Sequence, residues 1–223
     1  MPHLGRQVWS EIQQGSTLLI PLGATEQHGP HLPFDTDARI ATTLAERAAA
    51  ATGAIVAPVL SYGSSGEHAG FPGTLSIGAE ALRHVVIELV RSARLTYGRI
   101  VLVNGHGGNH GVVTGVAEQM RSEGHDVVVW WPSVPGGDAH AGRTETSLML
   151  AIAPGTVRLE RAEAGNVAPL ADLMPTLRSD GVDAVSPNGV LGDPTDASAA
   201  EGDELLTELT GQLVRTISGS GPR

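Results

Sequence analysis

Four short runs of the chain are apolar almost from end to end: TLLIPL at 17–22, AIVAPVL at 54–60, RIVLVNG at 99–105 and DVVVWW at 126–131. None alternates apolar with polar residues, so none suits a strand with one wet face. Each reads as a strand covered on both sides. Between them lie stretches with helical character. DTDARIATTLAERAAAATG (35–53) is rich in alanine and closes on Gly53, a residue suited to a left-handed helix end. AEALRHVVIELVRSARLTYG (79–98) places apolar residues at 82, 85, 86, 89 and 90, and HGVVTGVAEQMRSEG (110–124) follows a glycine turn. This alternation predicts an α/β fold with a central, mostly parallel sheet flanked by helices. Aromatic residues make up only 3% of the chain, so the core must come from Ala, Val, Leu and Ile.

From 155 to 201 the pattern weakens into Gly-, Pro- and Asp-rich sequence, and a last amphipathic helix is expected over 199–216. The tail SGSGPR (218–223) is expected to fray. With no internal repeat, no heptads and no second core, one domain over 1–223 is expected. The formal charge is −10, and the 14 basic residues, all arginine, form no stripe. That argues against nucleic acid as a partner. There is no cysteine, so disulfides, thiolate metal sites and a Cys nucleophile are excluded. Any metal must be held by His, Asp or Glu. The start MPHLGRQVWSEIQQGS lacks a signal-peptide pattern and no apolar run approaches a membrane span, so a cytoplasmic protein without a membrane partner is expected.

In open α/β sheets, ligands bind beyond the carboxyl ends of the strands. All four predicted strands end there in glycine-bearing loops with ionisable residues. After 17–22 comes GATEQHGPHLPFDTD, in which Glu26 and His28 are two apart and point the same way if the segment is extended. Asp37 lies nine residues further on, at the entry to a helix. His106 follows 99–105 in NGHGGNH, Glu67 and His68 follow 54–60, and Asp138, His140 and Glu145 follow 126–131. Each alone is weak: Asp35 and Asp37 could serve the helix dipole, Thr36 a cap, and His3, His84, His110 and His125 read as solvated or surface residues. Together they suit a carboxylate/imidazole metal site. The glycine turn after 99–105 could also be read as a phosphate cradle, but it lacks the Lys-Ser/Thr of a P-loop and the G-x-G-x-x-G spacing.

The stretches PLGATEQHGPHLPFDTD (21–37), GEHAGFPGTLSIG (66–78), VNGHGGN (103–109), DAHAGRTETS (138–147) and GVLGDPTDASAAEG (189–202) resemble the creatininase family of metal-dependent amidohydrolases, in family order. The resemblance implies a three-layer α/β fold and a homo-oligomer, a hexamer in many members. It implies one or two divalent ions (Zn, Fe or Mn) on Glu26, His28, Asp37 and His106, with Asp37 as the bridge. His140 falls beside the reacting amide. Where creatininase proper has a last glutamate ligand, this chain has Gly108, and Glu145 is the candidate replacement, as ligand or general base. Glu67 and His68 are expected to line the pocket or orient ligands. The loss of that glutamate disfavours creatinine as substrate. Overall likeness favours the branch that cleaves a small modified peptide near its C-terminal end, ahead of formamide deformylases or a cyclic amidohydrolase. A metal- or ligand-binding domain without catalysis is the alternative of a different class.

Overall fold

The computed structural model describes residues 3–219, so the expectation for 220–223 lies outside the described residues. The elements are β1 (Thr17–Leu22), α1 (Thr36–Thr52), β2 (Ile55–Val56), α2 (Gly78–Ala93), β3 (Arg99–Asn104), α3 (His110–Ser122), β4 (Val127–Trp130), α4 (Arg143–Ile152), α5 (Leu170–Asp180) and α6 (Ala199–Ile217). The four strands pair in the order β2-β1-β3-β4, all parallel. α1 ends as its sequence predicts, with Gly53 at φ +76° and its N–H on the Ala49 carbonyl.

Side chains alternate across the sheet because successive strand residues face opposite ways. Leu19, Val101 and Val103 pack under α1, α4 and α6, against Leu44, Leu148, Leu206, Leu209 and Leu213. Leu18, Ile20, Leu22, Ile100 and Leu102 pack on the other face, against Leu82 and Val86 of α2 and Val113, Val116 and Met120 of α3. Helices therefore cover both faces, which explains strands without polar alternation. Burying each such leucine contributes about 1.5–3 kcal/mol.

The strand expected at 54–60 is regular only over Ile55–Val56. The reason lies in Pro21, the fifth of the six residues of β1. Ala57 donates to the Leu19 carbonyl at 2.9 Å, but Pro21 has no N–H to return to this edge. Pro58 likewise has no N–H to donate. Pairing resumes one residue late, with Leu60 donating to the Pro21 carbonyl at 3.0 Å. The resulting divergence opens the carboxyl end of the sheet for the loop that carries Glu67 and His68. Two helices were not expected. α4 is short and follows a loop-like sequence, and α5 carries Pro175 inside it between Gly- and Pro-rich flanks. α5 sits on its own small apolar cluster of Leu177, Val182 and Leu191.

Candidate metal centre

β1 and β3 are neighbours at the middle of the sheet, and their chains leave in different directions, which creates a crevice at their carboxyl ends. Glu26 and His28 enter it from β1, Asp37 from the first turn of α1, and His106 from β3. All four side chains are buried. His28 Nε2 lies 3.0 Å from Asp37 Oδ1, and His106 Nδ1 lies 3.3 Å from Asp37 Oδ2 and 3.2 Å from Glu26 Oε1. The two carboxylate oxygens of Asp37 thus face two different imidazoles.

Each of those imidazoles has a main-chain carbonyl behind it. His28 Nδ1 is 3.1 Å from the Glu26 oxygen, and His106 Nε2 is 2.9 Å from the Ser64 oxygen. A carbonyl only accepts, so the proton sits on that far nitrogen and the lone pair points into the crevice. Metal-ligating histidines are held in this way.

Glu26 Oε1 and Oε2 and Asp37 Oδ2 are buried and form no aligned hydrogen bond, although His68 Nε2 and His106 Nδ1 stand 3.3 and 3.2 Å from Glu26 Oε1. Buried carboxylate oxygens without donors are costly. A cation removes that cost, and the donor set, oxygen and imidazole, suits a divalent ion. Glu26, His28 and Asp37 offer atoms within 4.8 Å of one another, as do His28, His140 and Glu145, and Glu26, His68 and His140. Without an ion, protons take its place. Burial pulls His28 down, but Asp37, Glu145 and Glu26 outweigh it and raise its pKa to about 10. His106, pulled down by burial, is carried well above the usual imidazole value by Glu26 and Asp37.

His140 and His68 are different. Burial, helped by the positive charge of His28 and then of His68, holds His140 well below the ordinary imidazole range. Burial is also the main reason that His68 falls to about 4. His140 Nδ1 is 3.8 Å and His68 Nε2 3.3 Å from Glu26 Oε1.

Glu145 stands in the first turn of α4 with Oε2 at 3.8 Å from His28 Nε2, and it accepts the Ala141 N–H at 2.6 Å. Ala141 has φ +51°, a left-handed conformation that costs an L-residue about 1–2 kcal/mol. The Glu145 contact therefore holds a strained turn beside His140 as well as facing His28. Burial, with His28 opposing and Asp37 adding, lifts the Glu145 carboxyl to about 7. Asp138 does not join the cluster. It accepts the N–H groups of Arg143 and Thr144 and caps α4.

At Gly108 a Cβ would lie 2.4 Å from His106 Nε2, 2.4 Å from the Ser64 oxygen and 2.3 Å from Glu67 Oε1. The 64–67 loop fills the place from which a side chain at 108 would start. Glu67, part-exposed, lies 3.7 Å from His106 Nε2, and burial pushes its carboxyl up.

Two buried amides, Asn109 and Gln27, carry no mark of function in the sequence, and His31, one of the ionisable residues after β1, has no role assigned from sequence. Asn109 donates to the Gly23 carbonyl and to Asn104 Oδ1 at 3.1 and 3.2 Å and accepts the Ser64 N–H at 2.9 Å, tying three strand-end loops together. Gln27 contacts both His68 and His140. His31, buried, pairs with Thr146 Oγ1 at 2.8 Å and positions α4. Gln27 and Asn109 are amides rather than ligand types, and their only local mark is their place inside the glycine-turn motifs. His84 and His110 are on the surface as expected, whereas His3 and His125 are half-buried rather than solvated.

A cavity of about 780 Å³ opens onto Glu26, His68, His106 and His140. Its outer wall is α5, with Leu170, Met174, Leu177 and Arg178; among the described residues Arg178 is the only arginine or lysine that lines it.

A model of the creatinine amidohydrolase (creatininase) family matches residues 6–217. The chain belongs to the creatininase family. It is thus a metal-dependent amidohydrolase acting on C–N bonds. Over 211 residues it is 51% identical to the mycofactocin precursor peptide peptidase of Mycobacterium ulcerans, covering 91% of this chain and 84% of the relative. A manganese form of creatininase superimposes with TM-score 0.83 at 28% identity, covering 100% of this chain and 99% of the other. A Zn–Zn creatininase variant does so with TM-score 0.82 at 28% identity, covering 99% and 98%. The expected three-layer fold is borne out.

Proposed function

We propose that this protein is a metal-dependent peptidase that cuts a small modified precursor peptide near its C-terminal end, releasing a dipeptide-like unit, as a mycofactocin precursor peptide peptidase would. The observation that carries the reading is the cavity itself. It is large enough for a peptide end, and among the described residues its α5 wall offers apolar Leu170, Met174 and Leu177 together with one cation, Arg178, beside Asp180. A free carboxyl terminus with an apolar side chain complements such a wall. Creatinine, a small ring, would leave most of it empty.

Glu26, His28, Asp37 and His106 would hold one or two ions, with Asp37 between them; Zn, Mn and Fe all suit this donor set. Two ions need one more carboxylate, and Glu145 stands at the right place on the His28 side. When bound, the ion or ions polarise the amide carbonyl and acidify water. The residues supply the rest. His140, neutral and presenting Nδ1, takes a proton from the attacking water and gives it to the departing amine as the C–N bond breaks. Water is consumed, and an acid and an amine are formed. Glu145, where it is not a ligand, serves as a second base. The chain acts as one domain over 1–223, in the cytoplasm and as a homo-oligomer; Trp9, 89% exposed beside exposed Val8, supports self-association. Among the described residues no helix is long and apolar enough to cross a membrane.

The test is mass spectrometry of the modified precursor peptide after incubation with metal-loaded protein. The expected result is loss of the C-terminal unit with one water added. Formate release from a formamide substrate without peptide cleavage would make the protein a deformylase. Inertness of metal-loaded protein toward every amide and formamide would leave a binding domain.

A further inference from the structure

Gln27 lies between Glu26 and His28 and is buried. Its amide orientation is fixed by two main-chain groups that cannot exchange roles. The Gly29 N–H donates to one terminal atom at 2.8 Å, so that atom is the oxygen. The Gly189 carbonyl accepts from the other at 3.0 Å, so that atom is the nitrogen. An amide nitrogen has two hydrogens. One goes to Gly189 and the other meets His68 Nδ1 at 2.9 Å. His68 Nδ1 is therefore an acceptor. In the neutral ring the proton then sits on Nε2, which faces Glu26 Oε1.

His140 is set the opposite way by the same residue. Its Nε2 is 2.9 Å from the Gln27 main-chain oxygen, which can only accept. The proton is on Nε2, and Nδ1 turns a lone pair toward Glu26 Oε1. Gln27 Nε2, 3.2 Å from His140 Nε2, has no hydrogen left to give, which agrees with a protonated Nε2 there.

We propose that Gln27 is a positioning residue that gives the two cavity histidines opposite proton roles, His68 as a hydrogen-bond donor and His140 as an acceptor. One consequence concerns the metal. His68 cannot ligate through a protonated Nε2, so the Glu26–His68–His140 group is not an ion site even though its atoms are close. The other concerns substrate. His68 Nε2–H faces the Glu26 carboxylate and is free to donate to a carbonyl oxygen entering the cavity, while His140 Nδ1 faces the same point with no proton. One end of Gln27 thus yields a donor and the other an acceptor about a shared oxygen position. Only the activity arm of the test below rests on the hydrolase reading.

Long-range proton–nitrogen correlation spectra of histidine-labelled, metal-free protein near neutral pH report which ring nitrogen carries the proton. The expected result is a protonated Nε2 in both His68 and His140. In Gln27→Met the side-chain donor is gone but the main-chain oxygen remains. His68 is expected to move to a mixed or Nδ1-protonated state while His140 keeps its pattern. Loss of fold would disturb both rings, so the difference between them separates positioning from damage. Gln27→Glu, which keeps shape, is expected to shift His68 in the same direction. In metal-loaded enzyme, Gln27→Met should lower kcat at least tenfold with KM changed less than threefold. A protonated Nδ1 on His68 in the unaltered protein, or an unchanged His68 in both variants, overturns the proposal. An enzyme that cuts no amide but shows the expected spectra overturns the hydrolase reading and leaves this one standing.

Discussion

Replacing Gly108 with alanine adds a single methyl group, yet the site leaves it no room. The new Cβ would sit 2.4 Å from the Ser64 oxygen and from His106 Nε2, far inside van der Waals contact. Glu67 Oε1, at 2.3 Å, is the end of a part-exposed side chain and can move away. The other two cannot move cheaply. The Ser64 oxygen is main chain and accepts from His106 Nε2 at 2.9 Å, and the Ser64 N–H is held by Asn109. Overpacking of this kind costs about 1–3 kcal/mol. Losing the Ser64–His106 hydrogen bond adds about 1 kcal/mol. The expected loss is about 2–4 kcal/mol, or about 4–16 °C in Tm for a domain of this size. Gly107→Ala is the control, because nothing lies within 4 Å of its Cβ. It should stay within about 0.5 kcal/mol. Thermal unfolding of the two metal-free variants measures the difference, and a Zn titration should show about 10- to 100-fold weaker binding in Gly108→Ala as His106 is displaced. If the two variants melt together and bind Zn alike, the packing argument for glycine at 108 is wrong.

Other outcomes follow from the same geometry. In metal-free protein His28 is raised to about 10, so its contribution to stability is complete below the unfolded value near 6.5 and is lost as pH rises through 10. Metal-loaded protein, with neutral imidazole ligands, should lack this loss. Unfolding midpoints of both forms between pH 7 and 10 test it, and parallel curves would refute it. Arg178→Gln should raise KM for a free-acid peptide about 10- to 100-fold, the worth of one charged hydrogen bond, and leave a C-terminally amidated peptide unchanged; equal effects on both would remove Arg178 as the carboxylate anchor. Glu145→Gln keeps an acceptor for the Ala141 N–H but loses the charge. Metal content in this variant should fall from two ions to about one, whereas retention of both would assign Glu145 to proton transfer and to the Ala141 turn.

Much of this architecture is written in local pattern. Strands such as 99–105 show themselves because both faces are buried, and α1 announces its end through Gly53. The ligand candidates show themselves because Glu26, His28, Asp37 and His106 are costly residue types in turns that need none of them. The parts that escaped depend on contacts between distant segments. β2 is cut short by a proline in its neighbour, α5 is hidden by Pro175, and Asn109 matters only because Gly23, Asn104 and Ser64 meet around it. Asp138 looked like the other acids and proved to be a helix cap, since ligand and cap use the same carboxylate. Nothing local to position 108 marks the 64–67 loop as the segment that fills the space beside it.

The most direct test of the account is metal content per chain, measured by mass spectrometry on the unaltered protein and on Asp37→Asn, with circular dichroism to show that both are folded. The substituted amide keeps the shape and one oxygen but not the charge that faces both His28 and His106. The account predicts one or two ions per chain in the unaltered protein and fewer than about 0.2 in the variant, because removing a ligand charge weakens metal binding at least about tenfold. Equal metal in the two folded proteins would contradict it.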